Sequence, residues 1–331
     1  MSVLSAHVLP VLRQLSPEVF ISGEEISQRL GCSRATVHNA IRAARDAGFV
    51  VHAVHGRGYR LASPASWLDA ERLGRDFARR DIALRHFDQI GSTNAELLRW
   101  AALDAPSRAL VSTEWQGQGR GRRGRDWHAG LGGGLAFSFL WRSARSAARI
   151  AGLSLAVGVS LVKSLRAMGL ERAQVKWPND IQVDGAKLAG VLIELASDGL
   201  ANDVMAPCTA VIGVGINVSG GEALSRLVGQ PVTDLQSHLG LIDRNDLLLR
   251  LIAGLDADLA RFEREGFSAF HAAWQACHAH QGLTVSMLAA QGEMISGTAL
   301  GVDAHGALLL ETPSGIQAFH SGEVSLRVLP A

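Results

Sequence analysis

The fold of the front of the chain is decided by the stretch Ser22-Gly23-Glu24-Glu25-Ile26-Ser27-Gln28-Arg29-Leu30-Gly31. Ser22 can cap a helix there, and Glu25, three residues further on, completes a capping box. Gly31 can end the helix, because glycine adopts the left-handed conformation of a helix C-terminus at little cost. The stretch therefore predicts one short helix with both of its ends marked.

A second helix follows directly. Ser33 can cap it, and it should run from Arg34 to about Ala47. Helix, glycine turn and helix at this length predict a helix-turn-helix. Two short strands come next, Phe49 to Val54 and Gly58 to Leu61, and their hairpin resembles the wing of a winged helix.

The outward face of this second helix is polar and basic. Residues 1–61 hold seven arginines and four acids, so their charge is 7 − 4 = +3 although the whole chain carries only +1. Such side chains contact base edges and phosphates in DNA, and an ordinary solvated helix face is the alternative. The predicted DNA-binding residues are Ser33, Arg34, Thr36, His38, Asn39 and Arg42.

Composition limits the remaining possibilities. The chain has 331 residues, of which 47% are hydrophobic, so two or three domains are expected. Three unpaired cysteines suit a reducing compartment. The first residues lack the pattern of a signal peptide, and no uncharged apolar run is long enough to span a membrane. We therefore expect a soluble, cytoplasmic protein without a membrane partner.

Beyond a short linker the pattern changes twice. Strands and helices alternate irregularly through the middle of the chain, which favours an α+β fold over a doubly wound parallel sheet. The last fifty residues have short strands and glycine turns, typical of a small SH3-like β-barrel. We predict a winged helix-turn-helix domain at 1–62, a catalytic domain at 68–279 and the barrel at 281–331. The predicted central strands are 84–90, 109–114, 134–141, 173–177, 187–195 and 208–218, and the predicted central helices are 93–103, 147–168, 246–265 and one ending near 277.

One segment of the middle domain concentrates positive charge on a flexible backbone: Gly119-Arg120-Gly121-Arg122-Arg123-Gly124-Arg125. Glycine lets backbone N–H groups approach a ligand, and arginine offers a planar fork for carboxylate or phosphate. The segment has no apolar side chain to bury before Trp127. We therefore expect a mobile loop that an anionic ligand orders.

Four further motifs surround this loop in the sequence. Gly91 to Glu96 places a polar helix N-terminus after a strand, with capping-box spacing between Thr93 and Glu96. Val175 to Asp180 ends in a carboxylate that can hold Mg²⁺. Lys187 lies between glycines, and Val211 to Val218 is an apolar strand with small residues, where a flat ring can approach the backbone. A plain helix cap, a plain turn and a buried core asparagine are the respective structural alternatives for the first, second and fourth motifs.

The set indicates a site for a phosphorylated or adenylylated acid. No Ser-His-Asp or Cys-His set and no Walker-type loop stands out, which favours electrostatic stabilisation of phosphoryl charge over covalent enzyme catalysis. Cys277-His278-Ala279-His280 has some of the character of a metal site, but no second cluster completes a tetrahedral set.

These motifs, in this order and spacing, resemble the signature of the biotin–protein ligases. With a winged helix in front and a barrel behind, the chain resembles the bifunctional type, a ligase that is also a biotin operon repressor. The resemblance implies a biotin–[acetyl-CoA-carboxylase] ligase that makes biotinyl-5′-AMP from biotin and Mg²⁺-ATP. It then transfers biotin to a lysine of an acceptor, typically the biotin carboxyl carrier protein. It also implies operator DNA as a partner and a homodimer when the adenylate is bound.

The resemblance also implies roles for individual residues. Lys187, Arg120 and Arg122 would be catalytic, and Asp180 would serve the metal. The biotin-binding residues would be Ser92, Thr93, Asn94, Gln116, Arg120, Gly121, Arg122 and Lys187. The residues binding ATP and the adenylate would be Arg122, Arg123, Arg125, Trp127, Lys187 and Asn217.

The chain departs from the family pattern after Trp127. A Ser-Pro-x-Gly turn is frequent there in the family, whereas this chain has a run with four glycines between Gly130 and Gly134. We expect a softer loop exit and weaker retention of the adenylate.

Alternative functions remain at this stage. They are a ligase whose front domain no longer regulates, a biotin-sensing regulator that catalyses poorly, and a lipoate or octanoate transferase. The complete set of Arg120, Arg122, Asp180 and Lys187 argues against the poorly catalysing regulator, the basic second helix argues against the unregulated ligase, and the arginine loop argues against the transferase.

Overall fold

The computed structural model describes residues 4–146, 150–196, 207–288, 294–320 and 325–328. Along the chain it shows a helical region with a two-stranded hairpin, a seven-stranded mixed sheet covered by helices, and a five-stranded antiparallel sheet. The predicted α+β fold is confirmed.

The front region is a winged helix-turn-helix. Both predicted N-caps are present, because Ser22 Oγ accepts the Glu25 amide at 3.1 Å and Ser33 Oγ accepts the Thr36 amide at 3.0 Å. The hairpin starts two residues later than predicted. The elements are α1 (Val8–Leu12), α2 (Gly23–Leu30), α3 (Arg34–Asp46), β1 (Val51–Val54) and β2 (Gly58–Leu61).

The central sheet has the strand order β3-β4-β5-β9-β8-β7-β6. Only the β3–β4 pair is parallel, and every other neighbouring pair is antiparallel. The sheet is therefore mixed, as the irregular order of strands predicted. Its strands are β3 (Ala83–Ile90), β4 (Ala109–Gln116), β5 (Gly134–Ser146), β6 (Ala173–Lys176), β7 (Asp180–Val183), β8 (Ala186–Ala196) and β9 (Pro207–Asn217).

Helices cover both faces of this sheet. Alternate residues of the strands pack in two separate apolar clusters, one beneath α5 and the other beneath α6 and α9. In the part of the chain that the structure describes, no helix is both long and apolar enough to cross a membrane. The helices are α4 (Ala70–Ala78), α5 (Thr93–Ala101), α6 (Leu153–Arg166), α7 (Gly221–Val228), α8 (Gln236–Leu239), α9 (Arg244–Glu265) and α10 (Ser268–Cys277).

Several element boundaries differ from prediction. The helix predicted from residue 147 begins at Leu153, directly after Gly152, whose φ of 80° is not helical. Residues 147–149 lie outside the described residues. The helices α4, α7 and α8 and the short strand β7 were not predicted, and each of them is nine residues long or shorter.

The rear region is an antiparallel sheet with the order β13-β12-β11-β10-β14. The sequence pattern predicts strands at 284–288, 294–302, 307–311 and 316–320, and each lies within one residue of an observed strand, but it misses the fifth strand, β14. The strands are β10 (Thr284–Leu288), β11 (Met294–Val302), β12 (Leu308–Thr312), β13 (Gly315–Phe319) and β14 (Ser325–Val328).

Aromatic packing joins the winged helix to the central domain. Phe49 stacks on Trp67 with ring centroids 5.7 Å apart. A Cβ built on Gly132 would lie 3.2 Å from the Trp67 ring and 3.3 Å from the Phe49 ring. The side chain of Phe49 therefore packs against Trp67 and the loop at Gly132 and is not part of the hairpin. We call this contact, together with the ion pair described next, the interdomain seam.

The second part of the seam is a buried ion pair. Arg244 and Glu114 are both fully buried and form a salt bridge. Arg244 also donates to the backbone carbonyls of Ser66 at 2.6 Å and Gly134 at 2.7 Å, and Glu114 accepts the amide of Leu68 at 2.5 Å. The pair thereby ties the linker that follows the winged helix to β4, β5 and α9.

Candidate active site

The predicted ligand-binding residues converge on one pocket of about 110 Å³. It lies where the N-terminus of α5, the end of β4 and the middle of β8 and β9 meet the arginine loop. Among the predicted residues that line it are Ser92, Thr93, Asn94, Gln116, Arg120, Gly121, Arg122, Arg125, Trp127, Asp180 and Lys187.

The inner end of the pocket is a connected polar network. Gln116 Oε1 accepts the amide of Thr93 at 2.8 Å and its hydroxyl at 3.1 Å. Ser138 Oγ lies 2.8 Å from Thr93 Oγ1 and 2.5 Å from Asn94 Oδ1. Because Thr93, Asn94 and Ser138 are all buried, this end of the pocket is a fixed set of donors and acceptors for a polar ring.

The cap of α5 differs from the predicted capping box. Ser92 is the N-cap and accepts the Ala95 amide, whereas Thr93 is the first helical residue. Glu96 pairs with Arg99 and Arg85 on the helix surface. The hydroxyl of Thr93 is thus available to the pocket network because the neighbouring serine caps the helix.

Two glycines of β9 allow side chains to lie directly on the strand. A Cβ on Gly213 would lie 2.1 Å from Asn94 Oδ1, and one on Gly215 would lie 2.4 Å from the indole of Trp127. The slot expected for a flat ring is present, and in this structure the chain's own Trp127 lies against it.

The arginine loop carries its own hydrogen bonds. The amide of Gly121 donates to Arg125 O at 2.6 Å, and the amide of Trp127 donates to Gly119 O at 2.9 Å. Arg122 reaches across the pocket to Asn179 Oδ1 at 3.3 Å. These contacts close the loop into a turn, and its mobility without an anion stays a prediction.

The middle of the pocket holds opposite charges in contact. Lys187 Nζ lies 2.8 Å from Asp180 Oδ1, with side-chain exposures of 27% and 22%. Burial lowers the pKa of Arg122, the neighbouring Arg123 lowers it further, and Asp180 opposes the shift. Arg122 remains charged at neutral pH, because an arginine pKa lies far above 7.

The donor set fits a magnesium ion that arrives with a nucleotide. Among the described residues there is no cluster of three or more histidine, cysteine or acidic side chains suited to hold a metal. Mg²⁺ bound to phosphates needs only one or two carboxylates from the protein, and Asp180 lies on the pocket wall.

Two predicted residues do not line the pocket. Asn217 is buried at the end of β9, where its amide donates weakly to Lys187 O at 3.4 Å, and its Oδ1 has no hydrogen-bond partner in the described part of the chain. Arg123, at the outer turn of the loop, adopts a φ of 58°. Their roles toward the nucleotide stay predictions.

The structure also adds residues that the sequence analysis missed. Asn179, Gln230, Ser138 and Glu194 lie at or beside the pocket. Glu194 had a local signal, since a carboxylate interrupts the apolar run Val191 to Leu195. Asn179 lies inside the motif that runs from Val175 to Asp180, whereas Ser138 and Gln230 had no local signal.

The predicted DNA-binding face divides into two groups. Arg34, His38, Asn39 and Arg42 are exposed on α3. Ser33 and Thr36 are hydrogen-bonded to each other in the helix cap. Arg45, on the same helix, donates twice to Val51 O and so supports the base of the wing. At the tip of the wing, Arg57 stacks over Phe20 at 4.6 Å.

Comparisons with known protein families match three regions of the chain. Residues 86–217 match the Biotin/lipoate A/B protein ligase family, residues 7–60 match an HTH domain, and residues 282–327 match the Biotin protein ligase C terminal domain.

Relatives and a solved structure extend the match. The chain is 37% identical to the bifunctional ligase/repressor BirA of Salmonella typhimurium, covering 96% of this chain and 97% of that protein. It is 36% identical to BirA of Escherichia coli, with the same coverage. A biotin protein ligase from Aquifex aeolicus, solved in complex with biotin and ATP, matches 74% of this chain and 99% of its own, with a TM-score of 0.65 and 29% identity. By its sequence over nearly the full length and by its three matched regions, this chain belongs to the biotin–protein ligases of the bifunctional ligase/repressor type.

Proposed function

We propose that this protein joins biotin to ATP as biotinyl-5′-AMP and transfers the biotinyl group to a lysine of an acceptor protein. We further propose that it represses transcription through its winged helix. The observation that carries the enzymatic part is the convergence of the arginine loop, the α5 cap and Lys187 on one pocket.

In the first step, a carboxylate oxygen of biotin attacks the α-phosphorus of ATP, and the bond to pyrophosphate breaks. Negative charge builds on the phosphoryl oxygens between the two substrates. Lys187 and Arg122 face this region, and fixed cations there stabilise developing charge without reorganisation. The network of Thr93, Asn94 and Gln116 holds the polar end of biotin.

In the second step, the neutral amine of the acceptor lysine attacks the acyl carbon of the mixed anhydride. An amide bond forms, AMP leaves with the electron pair of the broken C–O bond, and the amine loses a proton. Arg120 and Arg122 close over the anhydride and shield it from water until the acceptor arrives. We infer the biotin carboxyl carrier protein as that acceptor.

The nucleotide lies toward Trp127 and the outer arginines Arg123 and Arg125. The unpartnered Oδ1 of buried Asn217 supports a contact with the amino group of adenine. Asp180 would hold Mg²⁺, which neutralises phosphate charge when bound.

The repressor function rests on the exposed basic helix α3 and the wing. We infer that the adenylate-bound protein forms a homodimer, so that two winged helices contact the two half-sites of an operator. A ligase whose winged helix no longer regulates is the second candidate. The matches to two bifunctional relatives along nearly their whole length favour repression.

Incubation with radiolabelled biotin, ATP and a biotin carrier domain tests the ligase. We expect acid-stable label on the carrier lysine, and no label on a carrier whose acceptor lysine is replaced by arginine. Absence of label with the unmodified carrier, or equal label on both carriers, contradicts the proposal.

Retention of an operator fragment tests the repressor. We expect retention in the presence of biotin and ATP, weaker retention with either alone, and loss in the Arg42→Ala variant. Arg29→Ala is the control, because Arg29 is exposed but pairs with Glu25 on α2. Labelling of the carrier without retention of the operator would select the unregulated ligase.

A further inference from the structure

A serine of β5 lies behind the inner end of the pocket. Ser138 is fully buried and stands opposite Gly213 in the register of β5 and β9. Its Oγ lies 2.5 Å from Asn94 Oδ1 and 2.8 Å from Thr93 Oγ1. Asn94 and Thr93 line the pocket, whereas Ser138 is not among the residues that line it. Ser138 can therefore reach a ligand only through these two neighbours.

The orientation of the Asn94 amide is fixed by its other contacts. Its Nδ2 donates to Leu192 O at 3.2 Å and to Glu194 Oε2 at 2.7 Å. A carbonyl and a carboxylate oxygen can only accept, so the nitrogen of the amide must face them. The oxygen of the Asn94 amide therefore faces Ser138. Because an amide oxygen carries no proton, Ser138 donates its hydroxyl proton to Asn94.

Counting protons then defines the state of Thr93. Its Oγ1 lies 2.8 Å from Ser138 Oγ and 3.1 Å from Gln116 Oε1, which also accepts the Thr93 amide. The proton of Ser138 is used on Asn94, and an amide oxygen has none to give. The single hydroxyl proton of Thr93 can therefore serve only one of its two contacts at a time. Thr93 Oγ1 always faces one neighbouring oxygen without a proton between them, so it is an acceptor that lacks a donor among these side chains.

The ureido ring of biotin carries the group that this network lacks. The ring has two N–H donors, whereas the dithiolane ring of lipoate has none. A buried site that is built to bond an N–H group discriminates strongly against a ligand without one, because its own acceptors are then left unpaired. A network that is short of protons therefore favours a ureido ring over a ring of carbon and sulfur.

We propose that Ser138 is a positioning residue that sets the direction of the hydrogen bonds in this network and thereby makes Thr93 an acceptor for a ureido N–H of biotin. This role rests on the proposed function for the identity of the ligand. Ser138 does not touch the substrate, and it acts through Asn94 and Thr93.

Equilibrium binding of biotin in the absence of ATP tests this role. In Ser138→Ala, Asn94 Oδ1 loses its donor and the hydroxyl of Thr93 loses one of the two oxygens that hold it. The acceptor that meets the ureido ring is then no longer fixed, so we expect the Kd for biotin to rise about five- to thirtyfold. Ser143→Ala is the matched control and should leave the Kd unchanged. Ser143 is also a buried serine of β5, and its hydroxyl donates to Glu263 at 2.7 Å, outside the pocket.

The variant Ser138→Thr separates the hydroxyl group from the packing of the side chain. Threonine keeps the hydroxyl group but adds a methyl group at a fully buried position. We expect Ser138→Thr to bind biotin more tightly than Ser138→Ala does. A role in packing alone predicts the reverse order, because an added methyl group crowds a filled core. The reverse order, measured on variants whose unfolding midpoints show that both are folded, would overturn the proposal.

Biotin methylated on one ureido nitrogen provides a readout from the side of the ligand. We expect the unmodified protein to bind at least one of the two methylated isomers more weakly than biotin, and this discrimination to be about three- to tenfold smaller in Ser138→Ala. Equal discrimination by the two proteins, or an unchanged Kd for biotin in Ser138→Ala, would overturn the role of Ser138. Failure of the unmodified protein to bind biotin would instead contradict the proposed function itself.

Discussion

The pocket and the interdomain seam both depend on charged side chains, but they use them in opposite ways. In the pocket, Lys187 pairs with Asp180 and Arg120 with Glu194, and the exposed fractions of these side chains range from 22% to 46%. In the seam, Arg244 and Glu114 have no exposure at all, and backbone groups satisfy their remaining hydrogen-bonding atoms.

This difference separates two tasks. A pair that touches water can exchange its partner for a ligand, because water and the ligand compensate the charge that is left behind. A fully buried pair cannot separate without leaving a charge in an apolar medium, which is costly. The pocket is thus built to rearrange, and the seam is built to hold the winged helix and the central domain in one geometry.

The largest effect should come from breaking the buried pair. Glu114→Gln leaves the guanidinium of Arg244 without its counter-charge, and we expect the free energy of unfolding to fall by about 3–5 kcal/mol. Urea unfolding followed by tryptophan fluorescence measures the change. The control Asp184→Asn removes a surface partner of Arg172 and should cost less than about 1 kcal/mol. Equal losses of stability in the two variants would mean that the buried pair of the seam contributes no more than a surface pair.

A substitution in the pocket should change the rate of adenylation rather than the stability of the fold. Lys187→Ala removes the ammonium that faces the developing phosphoryl charge, and we expect adenylation to slow by about 10²–10³-fold. The unfolding midpoint should change little, since the ion pair that is lost is part-exposed. Pyrophosphate release measures the rate. Lys163→Ala, a change of an exposed lysine on α6, is the control and should leave the rate intact. Unchanged release in Lys187→Ala would remove this lysine from the chemistry.

The features that the sequence could predict are those whose contacts are local in the chain, and the features that it could not predict depend on distant contacts. The caps Ser22 and Ser33 were predictable because a cap bonds to a backbone amide three residues away. Most of the residues that line the pocket were also predictable, since their motifs are short and the family resemblance implied them. The conformation of the arginine loop was not, because Glu194, its partner through Arg120, lies 74 residues further along the chain.

The glycine run after Trp127 shows the limit most clearly. Its glycine content predicted a softer exit of the arginine loop and weaker retention of the adenylate. In the structure, Gly132 packs against Trp67 and Phe49, and Gly134 packs so closely on Ala129 that a Cβ would lie 2.6 Å away. Gly132 serves close packing at the seam, a reason that is invisible in the sequence because its partners come from two other segments, whereas Gly134 packs on Ala129 of the same run. A proline at position 132 would conflict with the φ of 66° there.

A lower pH should separate the interdomain seam from a second contact region, the junction between the central domain and the rear sheet, by its effect on stability. His278 and His280 are buried there, and His278 stacks on Trp274 at 4.3 Å. Burial lowers the pKa of both to about 4, with His280 adding to the shift of His278 and Lys176 to that of His280, while Gln281 opposes the shift of His278. The unfolded chain binds these protons near pH 6.5 and the folded one near 4, so stability falls as pH drops between those values.

We expect each histidine to lower the free energy of unfolding by roughly 2 kcal/mol at pH 5 relative to pH 7.5. Urea midpoints at the two pH values measure the loss. His278→Phe keeps the stacking but cannot bind a proton, so its midpoint should fall less on acidification than that of the unmodified protein. His52→Phe, a change of an exposed histidine on the wing, is the control. If both variants lose the same stability on acidification, the junction does not titrate.

The smallest effect should come from the aromatic part of the interdomain seam. Gly132 and Gly229 share a φ of 66°, so alanine is strained equally at both, by about 1–2 kcal/mol. They differ in surroundings, because a Cβ at Gly132 meets Trp67 and Phe49, whereas one at Gly229 has nothing within 4 Å. Subtracting the loss in Gly229→Ala from the loss in Gly132→Ala therefore isolates the contact between the domains.

We expect the remainder to be positive and below about 2 kcal/mol, because neighbouring rings must move by a few tenths of an ångström. Gly132→Ala should also weaken retention of the operator by the adenylate-bound protein while carrier labelling stays within about twofold, since the loop after Trp127 lies between Phe49 and the pocket. Gly229→Ala should leave retention unchanged. Equal stability losses and equal retention in the two variants would mean that the stacked rings are in contact without stabilising the arrangement of the two domains.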